Sequence, residues 1–272
     1  MSMAKAPNSP RPGLQTDLFP PADPTSRPAA KVAEKVAPKI AVKVSSVSPA
    51  PRAPSRTEGI QALLDLCPPV RAGSRTAAWL KAQRVFKKTW DTQGLRMVED
   101  YHHATEALRT RFLAAQLTAW GLFNNEGHLR FYRHTLLIPW FDGGHPVYLQ
   151  ARATDPEVSP PELSLTGPVP CPYNARLLDG SEGRLYLCTG SLDTLELLEA
   201  GFPAVGVPSD TDLKPAWLPR FRNKSVFLAF DADAAGEAAA AKAIALLTGQ
   251  GIDAHRLRVP AGKRVGDWLA GK

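Results

Sequence analysis

Three short apolar segments alternate with helical patterns in the last third of the chain. They are Arg184–Cys188, Ala204–Val207 and Ser225–Phe230. Fully apolar strands separated by helices are typical of a parallel sheet that is covered on both faces. We therefore predict that residues 179–272 form an α/β domain, in which helices flank a parallel sheet.

Aspartates stand where two of these strands end. Asp231 and Asp233 directly follow the third strand, and Asp193 follows the first. In parallel sheets, ligands collect at the carboxyl ends of the strands. Carboxylate oxygens at that edge suit Mg²⁺ or Mn²⁺ rather than zinc. The alternative is that one of the two aspartates after the third strand only caps the next helix, which we predict over Glu237–Leu247.

The aspartate segment also carries a family resemblance. Val226–Gly236 resembles the Asp-x-Asp motif of Toprim domains, and of bacterial-type DNA primases in particular. Gly190–Leu195 is similar to the first Toprim motif, and Pro260–Leu269 resembles the third. The resemblance implies that residues 179–272 are a Toprim domain.

A weaker resemblance extends upstream. Phe131–Trp140 with Pro146–Arg152 looks like the paired strands that precede Toprim in primase catalytic cores, and Ala77–Gly121 is similar to the helical part before them. We expect a small α+β region of primase-core type at residues 58–178. Its hairpin would turn at Asp142–Gly144, since glycines favour such turns.

The resemblance implies a set of site residues. Asp193, Asp231 and Asp233 would be catalytic, and together with Asp267 they would bind Mg²⁺ or Mn²⁺. Arginines on the paired strands would contact nucleotide or template, because the guanidinium group binds phosphate with two hydrogen bonds. The predicted nucleotide- or DNA-binding residues are Arg133, Arg152, Asn174, Lys263, Lys87 and Lys88.

Lys87 and Lys88 are assigned from their surroundings. They lie in a basic stretch with Trp90, and basic residues interleaved with an aromatic suit a groove for single-stranded nucleic acid. The alternative is the solvated face of a helix. Thr105–Trp120 follows as a predicted amphipathic helix that ends at Gly121. Residues 154–172 are proline-rich and predicted to be an irregular loop.

The sequence departs from the family pattern at three positions. Thr189 stands where the first Toprim motif begins with glutamate, and Arg264 stands where the third has aspartate. Glu162 replaces a lysine that primases carry before the Toprim part. Threonine cannot act as a general base at neutral pH, and it lacks the charge of a carboxylate ligand.

Three functions therefore stay open. The first is a primase-like enzyme of DNA replication or repair, which synthesises RNA primers from nucleoside triphosphates on single-stranded DNA with Mg²⁺. The second is a catalytically degenerate relative that binds DNA and a replication partner. The third is a metal-dependent Toprim nuclease, against which the primase-like upstream region argues by analogy.

Residues 1–57 differ in composition from the rest. They hold nine Lys/Arg, three acids and eleven of the 26 prolines. Such a segment buries too little apolar surface to fold, so we predict a disordered basic tail. The tail either adds affinity for a polyphosphate or serves only as a linker that keeps the protein soluble. Within it, Gln15, Leu18 and Phe19 resemble the short peptide that docks replication proteins on the sliding clamp. A helicase is the other expected partner.

The cysteine spacing and the hydropathy bear on disulfides, zinc binding and membrane association. The three cysteines are widely spaced, with no Cys-x-x-Cys or Cys-x-x-His pair, which predicts neither disulfides nor zinc. No apolar run is long enough to span a bilayer. We expect a cytoplasmic protein that does not bind membranes.

Overall fold

The computed structural model of the chain describes residues 52–180, 182–208, 213–258, 260 and 268. Most of the predicted tail, including Gln15, Leu18 and Phe19, lies outside them. None of the helices in these ranges is long and apolar enough to cross a membrane.

The first helix begins at a capping box. Ser55 accepts a hydrogen bond from the backbone N–H of Glu58, and the Glu58 carboxylate accepts one from the backbone N–H of Ser55 at 2.5 Å. These reciprocal bonds satisfy two backbone donors that the first turn leaves free. Helix α1 therefore runs from Arg56 to Leu66, and Arg56 and Thr57 belong to this helix rather than to the predicted tail.

An antiparallel sheet forms the centre of the upstream region. Its strands lie in the order β1 (Arg96–Met97), β2 (Leu136–Asp142), β3 (His145–Arg152) and β4 (Glu162–Ser164). The turn between β2 and β3 is where the sequence predicts it, with positive φ at both Gly143 and Gly144. β4 lies inside the segment predicted to be irregular, and it pairs with β3 in the register Arg152↔Glu162.

The helices of this region are short. They are α2 (Arg75–Ala82), α3 (Lys87–Thr92), α4 (Tyr101–Arg111) and α5 (Ala114–Ala119).

The single helix predicted at Thr105–Trp120 is in fact α4 and α5, separated by Phe112 and Leu113. Phe112 has an extended backbone and is buried edge-on against Trp120, with ring centroids 5.3 Å apart. The break lets Phe112 reach the core and leaves Leu113 exposed. Gly121, with φ +76°, follows α5 as predicted.

A parallel sheet forms the rest of the described chain. Its strands lie in the order β6 (Ala204–Val207), β5 (Gly183–Thr189), β7 (Lys224–Leu228) and β8 (Asp253–Arg256). Helix α6 (Gly190–Glu199) packs on β5 and β6, and α7 (Ala234–Thr248) packs on β8. The predicted α/β fold with a parallel sheet is confirmed. The boundary at residues 178 and 179 stays a prediction.

Arg220 connects the two sheets. It lies in a 3₁₀ segment before β7, and its guanidinium donates to both carboxylate oxygens of Asp179 at 2.8 and 2.9 Å. The same group pairs with Asp142, at the end of β2, at 2.9 Å. A planar guanidinium can hold two carboxylates at once, which an ammonium group does less well. The side chain is 25% exposed, so solvent screens these bonds only in part.

We predict that Arg220→Ala lowers the free energy of unfolding by about 1–2 kcal/mol, because two carboxylates lose a partly buried partner. Arg220→Lys should recover less than half of the loss. Urea denaturation measures both effects. The matched control is Arg222→Ala, since Arg222 is exposed two residues away. Equal effects of Arg220→Ala and Arg222→Ala would show that Arg220 does not stabilise the fold.

Candidate metal and nucleotide site

The order of the parallel sheet brings two of the predicted aspartates to one edge. β5 and β7 are neighbours in the register Leu187↔Leu228. Asp193 lies in the first turn of the helix after β5, and Asp231 lies three residues beyond the end of β7. Both are therefore at the carboxyl ends of adjacent strands.

One carboxylate oxygen of Asp231 has no partner among the described residues. Its Oδ1 atom is buried and accepts no hydrogen bond from the described residues. A buried carboxylate oxygen is costly unless it is hydrogen-bonded or coordinates a cation. A divalent cation at this edge would remove that cost.

Asp193 and Asp231 both act electrostatically on the buried Cys188 thiol. Asp193 is 6% exposed, and the Thr189 hydroxyl donates to its Oδ2 at 3.5 Å. Burial raises the pKa of the Cys188 thiol well above its usual value, and the negative charges of Asp193 and Asp231 raise it further. The two carboxylates therefore act on one place at the end of β5.

Asp233 caps α7. Its Oδ1 accepts a hydrogen bond from the backbone N–H of Gly236 at 2.7 Å, and the residue is exposed. The capping interpretation of one aspartate is thus confirmed for Asp233. Metal binding by its other oxygen stays a prediction.

These residues fit Mg²⁺ with a small protein ligand set. Within the described ranges, no group of three or more His, Cys, Asp or Glu side chains is placed to hold a metal. Mg²⁺ is commonly bound through one or two carboxylates, with water and substrate phosphates completing the octahedron. Asp231 and Asp193 can supply those carboxylates. Asp267 and Lys263 lie outside the described residues.

Arg256, which the sequence analysis did not single out, holds the loop that carries Asp231. Its Nη2 donates to the Asp231 carbonyl at 3.1 Å, and its Nη1 donates to the Leu228 carbonyl at 2.9 Å. It also pairs with Glu237 in the first turn of α7 at 2.5 Å. The guanidinium thus connects the end of β7 to the start of α7. β8, which carries Arg256, was itself missed, although Ile252–His255 alternates in polarity.

Gly236 is needed for the same turn. A Cβ atom at this position would lie 2.1 Å from the Asp231 carbonyl oxygen, far inside van der Waals contact. The glycine of the Asp-x-Asp segment therefore lets α7 begin directly over Asp231.

The two predicted arginines have different surroundings. Arg133 is exposed and lines a cavity of about 380 Å³ that also contains Arg75. Arg152 is paired with Glu162 at 3.1 Å and lies over the Trp79 ring, 5.7 Å from its centroid. A phosphate at Arg152 would have to compete with Glu162, the residue that replaces the family's lysine.

The other described residues predicted to contact nucleotide or DNA lie in different structural elements from the aspartates. Lys87 pairs with Asp91 along α3, and Lys88 is exposed on the same helix. Asn174 is buried in the left-handed conformation, where its amide donates to the Ala204 carbonyl at 2.9 Å and accepts from Arg176. The Asn174 amide therefore fastens the chain to β6, and its nucleotide contact stays a prediction.

The Glu237–Arg256 pair predicts a pH dependence of stability. Hydrogen bonding to Arg256 lowers the pKa of Glu237 from 4.5. The pair therefore stabilises the fold above about pH 4.5, and the stabilisation is lost as the pH falls through the folded-state pKa. We expect Glu237→Gln to lower Tm at neutral pH and to have progressively less effect on acidification. Thermal melts from about pH 3 to pH 7 measure this.

The control for this measurement is the same substitution in an Arg256→Met chain. There, Glu237→Gln should have a small effect that does not change with pH. A Tm difference between wild type and Glu237→Gln that stays constant over the whole range would contradict the prediction.

The comparison with protein families concerns the region that holds the parallel sheet. Residues 184–269 match the sequence model of the Toprim domain family. No curated protein matches the sequence.

Solved structures extend the likeness upstream. The chain is similar to the zinc-binding and RNA polymerase domains of the Aquifex aeolicus primase, with a TM-score of 0.67, 19% identity and coverage of 79% of this chain. It spans only 57% of that Aquifex chain. The E. coli primase catalytic core matches with a TM-score of 0.65 and 16% identity, over 80% of this chain and 76% of that one. The DnaG primase catalytic domain bound to ssDNA matches with a TM-score of 0.64 and 15% identity, over 80% and 77%.

At these identities the structural likeness establishes the fold alone. The chain therefore carries a Toprim domain at residues 184–269 and has the fold of DnaG primase catalytic cores.

Proposed function

We propose that this chain is a primase-like protein of DNA replication or repair. It binds single-stranded DNA and nucleoside triphosphates, and it joins nucleotides into RNA primers with Mg²⁺. The observation that carries the proposal is the buried Oδ1 of Asp231, which accepts no hydrogen bond from the described residues and lies at the same carboxyl edge of the parallel sheet as Asp193. The DnaG catalytic domain of this fold has been solved bound to ssDNA, which supports the choice of template.

Asp231 and Asp193 would hold the ion, and the outer oxygen of Asp233 would face it across the turn. When bound, Mg²⁺ neutralises charge on the triphosphate. Arg256 and Gly236 keep Asp231 in place through its backbone carbonyl. Thr189 donates to Asp193, which orients that carboxylate without adding a charge. Catalysis then rests on positioning and charge rather than on a covalent intermediate.

Arg133 provides an exposed cation for the template or nucleotide phosphates. Arg152 contributes only when Glu162 releases it, since the two side chains are paired. Lys87 and Lys88 on α3 would add positive charge for the template, and Lys263, outside the described residues, stays a predicted contact. Docking on the sliding clamp through Gln15, Leu18 and Phe19, or on a helicase, would bring the protein to its cytoplasmic template.

The second candidate is a degenerate relative that binds DNA without synthesis. It is favoured by Thr189, which replaces a carboxylate at the end of β5, and by the use of one Asp233 oxygen as a helix cap. Primer synthesis on single-stranded DNA separates the two candidates, because only the first predicts a product.

The metal site predicts a binding experiment. In isothermal titration, Mg²⁺ should bind more tightly in the presence of a nucleoside triphosphate, since phosphate oxygens complete the coordination. Asp231→Asn should weaken this binding about tenfold or more, because it removes the charged ligand with its shape retained. Thr189→Glu should strengthen it by adding a carboxylate.

Asp233 offers the matched control. Asp233→Ser keeps a helix cap and removes the charge. If this variant binds Mg²⁺ more weakly than the wild type, Asp233 is a metal ligand. If its affinity for Mg²⁺ is unchanged, Asp233 only caps the helix. Identical Mg²⁺ binding by wild type and Asp231→Asn would contradict the proposed site.

The Arg152–Glu162 pair predicts a gain of affinity. Glu162→Gln removes the anion that competes with phosphate and keeps the shape of the side chain. We expect single-stranded DNA to bind about 3- to 10-fold more tightly, with a steeper dependence on salt, since one further phosphate contact becomes possible. Fluorescence anisotropy at several salt concentrations measures both effects.

Arg152→Ala is the control for this gain. In an Arg152→Ala chain, Glu162→Gln should leave the affinity unchanged, because no arginine is released. A gain of the same size in both backgrounds would mean that Glu162 acts by general charge repulsion and not through Arg152.

A further inference from the structure

A preformed cavity lies between α4 and the turn at residues 124–132. It measures about 340 Å³, which is within the size range of small-ligand sites. One wall is a face of α4, and the other is the turn. Tyr101, His102, His128 and Tyr132 line it, so four of its side chains are aromatic rings. None of the described residues that line this cavity is among the proposed metal, nucleotide or DNA residues.

The wall formed by the turn is held in shape by hydrogen bonds. The Asn124 side chain accepts from the backbone N–H groups of Glu126 and His128, at 3.1 and 2.9 Å. Arg109 of α4 donates to the Gly127 carbonyl at 2.6 Å. Gly127 has φ +80°, a conformation that favours glycine. These bonds fix the turn against α4, so the cavity does not need to form around its ligand.

Tyr132 lines the cavity and is partly exposed to solvent. Leu129 and Phe131 are fully buried, whereas Tyr132 between them and the next strand is 44% exposed. Its ring lies 5.7 Å from the ring of Tyr101. A large aromatic side chain held outward by buried neighbours leaves a ring face in contact with water. That face can stack on a planar group.

Two carboxylates and one guanidinium, that of Arg109, line the cavity, so its net formal charge favours a base over a phosphate. Glu106 and Glu126 line it and would repel a phosphate, while carboxylates can accept hydrogen bonds from amino groups on base edges. Glu106 is itself paired with Arg109 at 2.8 Å. Arg133, directly after Tyr132, is exposed and lines the 380 Å³ cavity. A cation is therefore available next to the Tyr132 side chain for a phosphate of a bound nucleic acid.

We propose that this cavity binds an unpaired base of single-stranded nucleic acid, stacked on Tyr132. The proposal rests on the proposed binding of single-stranded DNA, and it names the place where a base is held. Base stacking on aromatic side chains tolerates any sequence, because every base presents a ring face. Arg133 would contact the adjacent phosphate. The cavity thus acts as a positioning site for the strand and has no role in bond formation.

The test compares the full chain with Tyr132→Ala, Tyr132→Phe and Leu113→Ala. Leu113 is a second exposed apolar residue, 70% exposed at the α4–α5 junction, so it controls for loss of apolar surface. A fluorescein-labelled oligothymidylate of about 16 nucleotides is the probe, read by anisotropy. Tyr132→Ala should weaken binding about tenfold, whereas Tyr132→Phe and Leu113→Ala should leave it unchanged.

Salt dependence separates stacking from phosphate contact. Tyr132→Ala should leave the slope of affinity against salt unchanged, and Arg133→Ala should reduce that slope by about 1. As an independent readout, an oligonucleotide with 5-iododeoxyuridine should cross-link under ultraviolet light to Tyr132 or Tyr101. Thermal melts establish that each variant is folded.

The outcomes distinguish this proposal from the function on which it rests. If the wild type binds the oligonucleotide, but Tyr132→Ala binds equally well and no cross-link maps to the cavity, the stacking site is overturned and DNA binding stands. If the wild type binds no single-stranded DNA, the proposed function is overturned and the stacking site with it.

Discussion

The parallel pairing of β5 with β7 is the constraint on which the candidate site depends. With the register Leu187↔Leu228, both strands end at the same edge of the sheet. The chain continues from β5 into α6 and from β7 towards α7. Asp193 and Asp231 lie at the same edge of the sheet because of this pairing and not because they are close in sequence. A shift of β7 by one residue would turn its apolar side chains to the opposite face and move Asp231 away from Asp193.

The edge is held so that it keeps an oxygen unpaired. Arg256 donates to the backbone carbonyls of Leu228 and Asp231 and pairs with Glu237, so the loop has little freedom to turn Asp231 towards a protein donor. Leaving a buried acceptor without a partner costs about 1–3 kcal/mol. Binding of a cation at this oxygen would recover that cost. The arrangement would then favour the metal-bound protein over the empty one, as is common at functional sites.

The strands β5, β6 and β7, the hairpin turn and the aspartates at the sheet edge were predictable, because each has a local signal of apolar runs, glycines or acidic residues. The contacts that hold them were not. The Arg152–Glu162 pair depends on the register of β3 with β4, and β4 lies in a proline-rich segment that indicates only a loop. Arg256 donates to backbone carbonyls, and because every residue has one, the residue types do not indicate this contact. The break between α4 and α5 follows from the packing of Phe112 on Trp120, a tertiary contact that overrides helical periodicity.

The three departures from the primase pattern change the charges that the proposed Mg²⁺ and triphosphate would meet. Thr189 makes the carboxyl edge of the parallel sheet less negative than a glutamate would, and Arg264, which lies outside the described residues, replaces a second acid of the family pattern. Both changes lower the expected attraction for Mg²⁺, and Glu162 makes the antiparallel sheet less positive, which lowers the expected attraction for phosphate. A metal and a triphosphate that bind separately would both be weakened. When they bind together, each compensates for a charge that the protein lacks. The phosphate oxygens complete the coordination of the metal ion, and the metal ion neutralises the charge of the phosphates. The ion and the nucleotide should therefore bind this site with strong mutual dependence, whether or not bond formation follows.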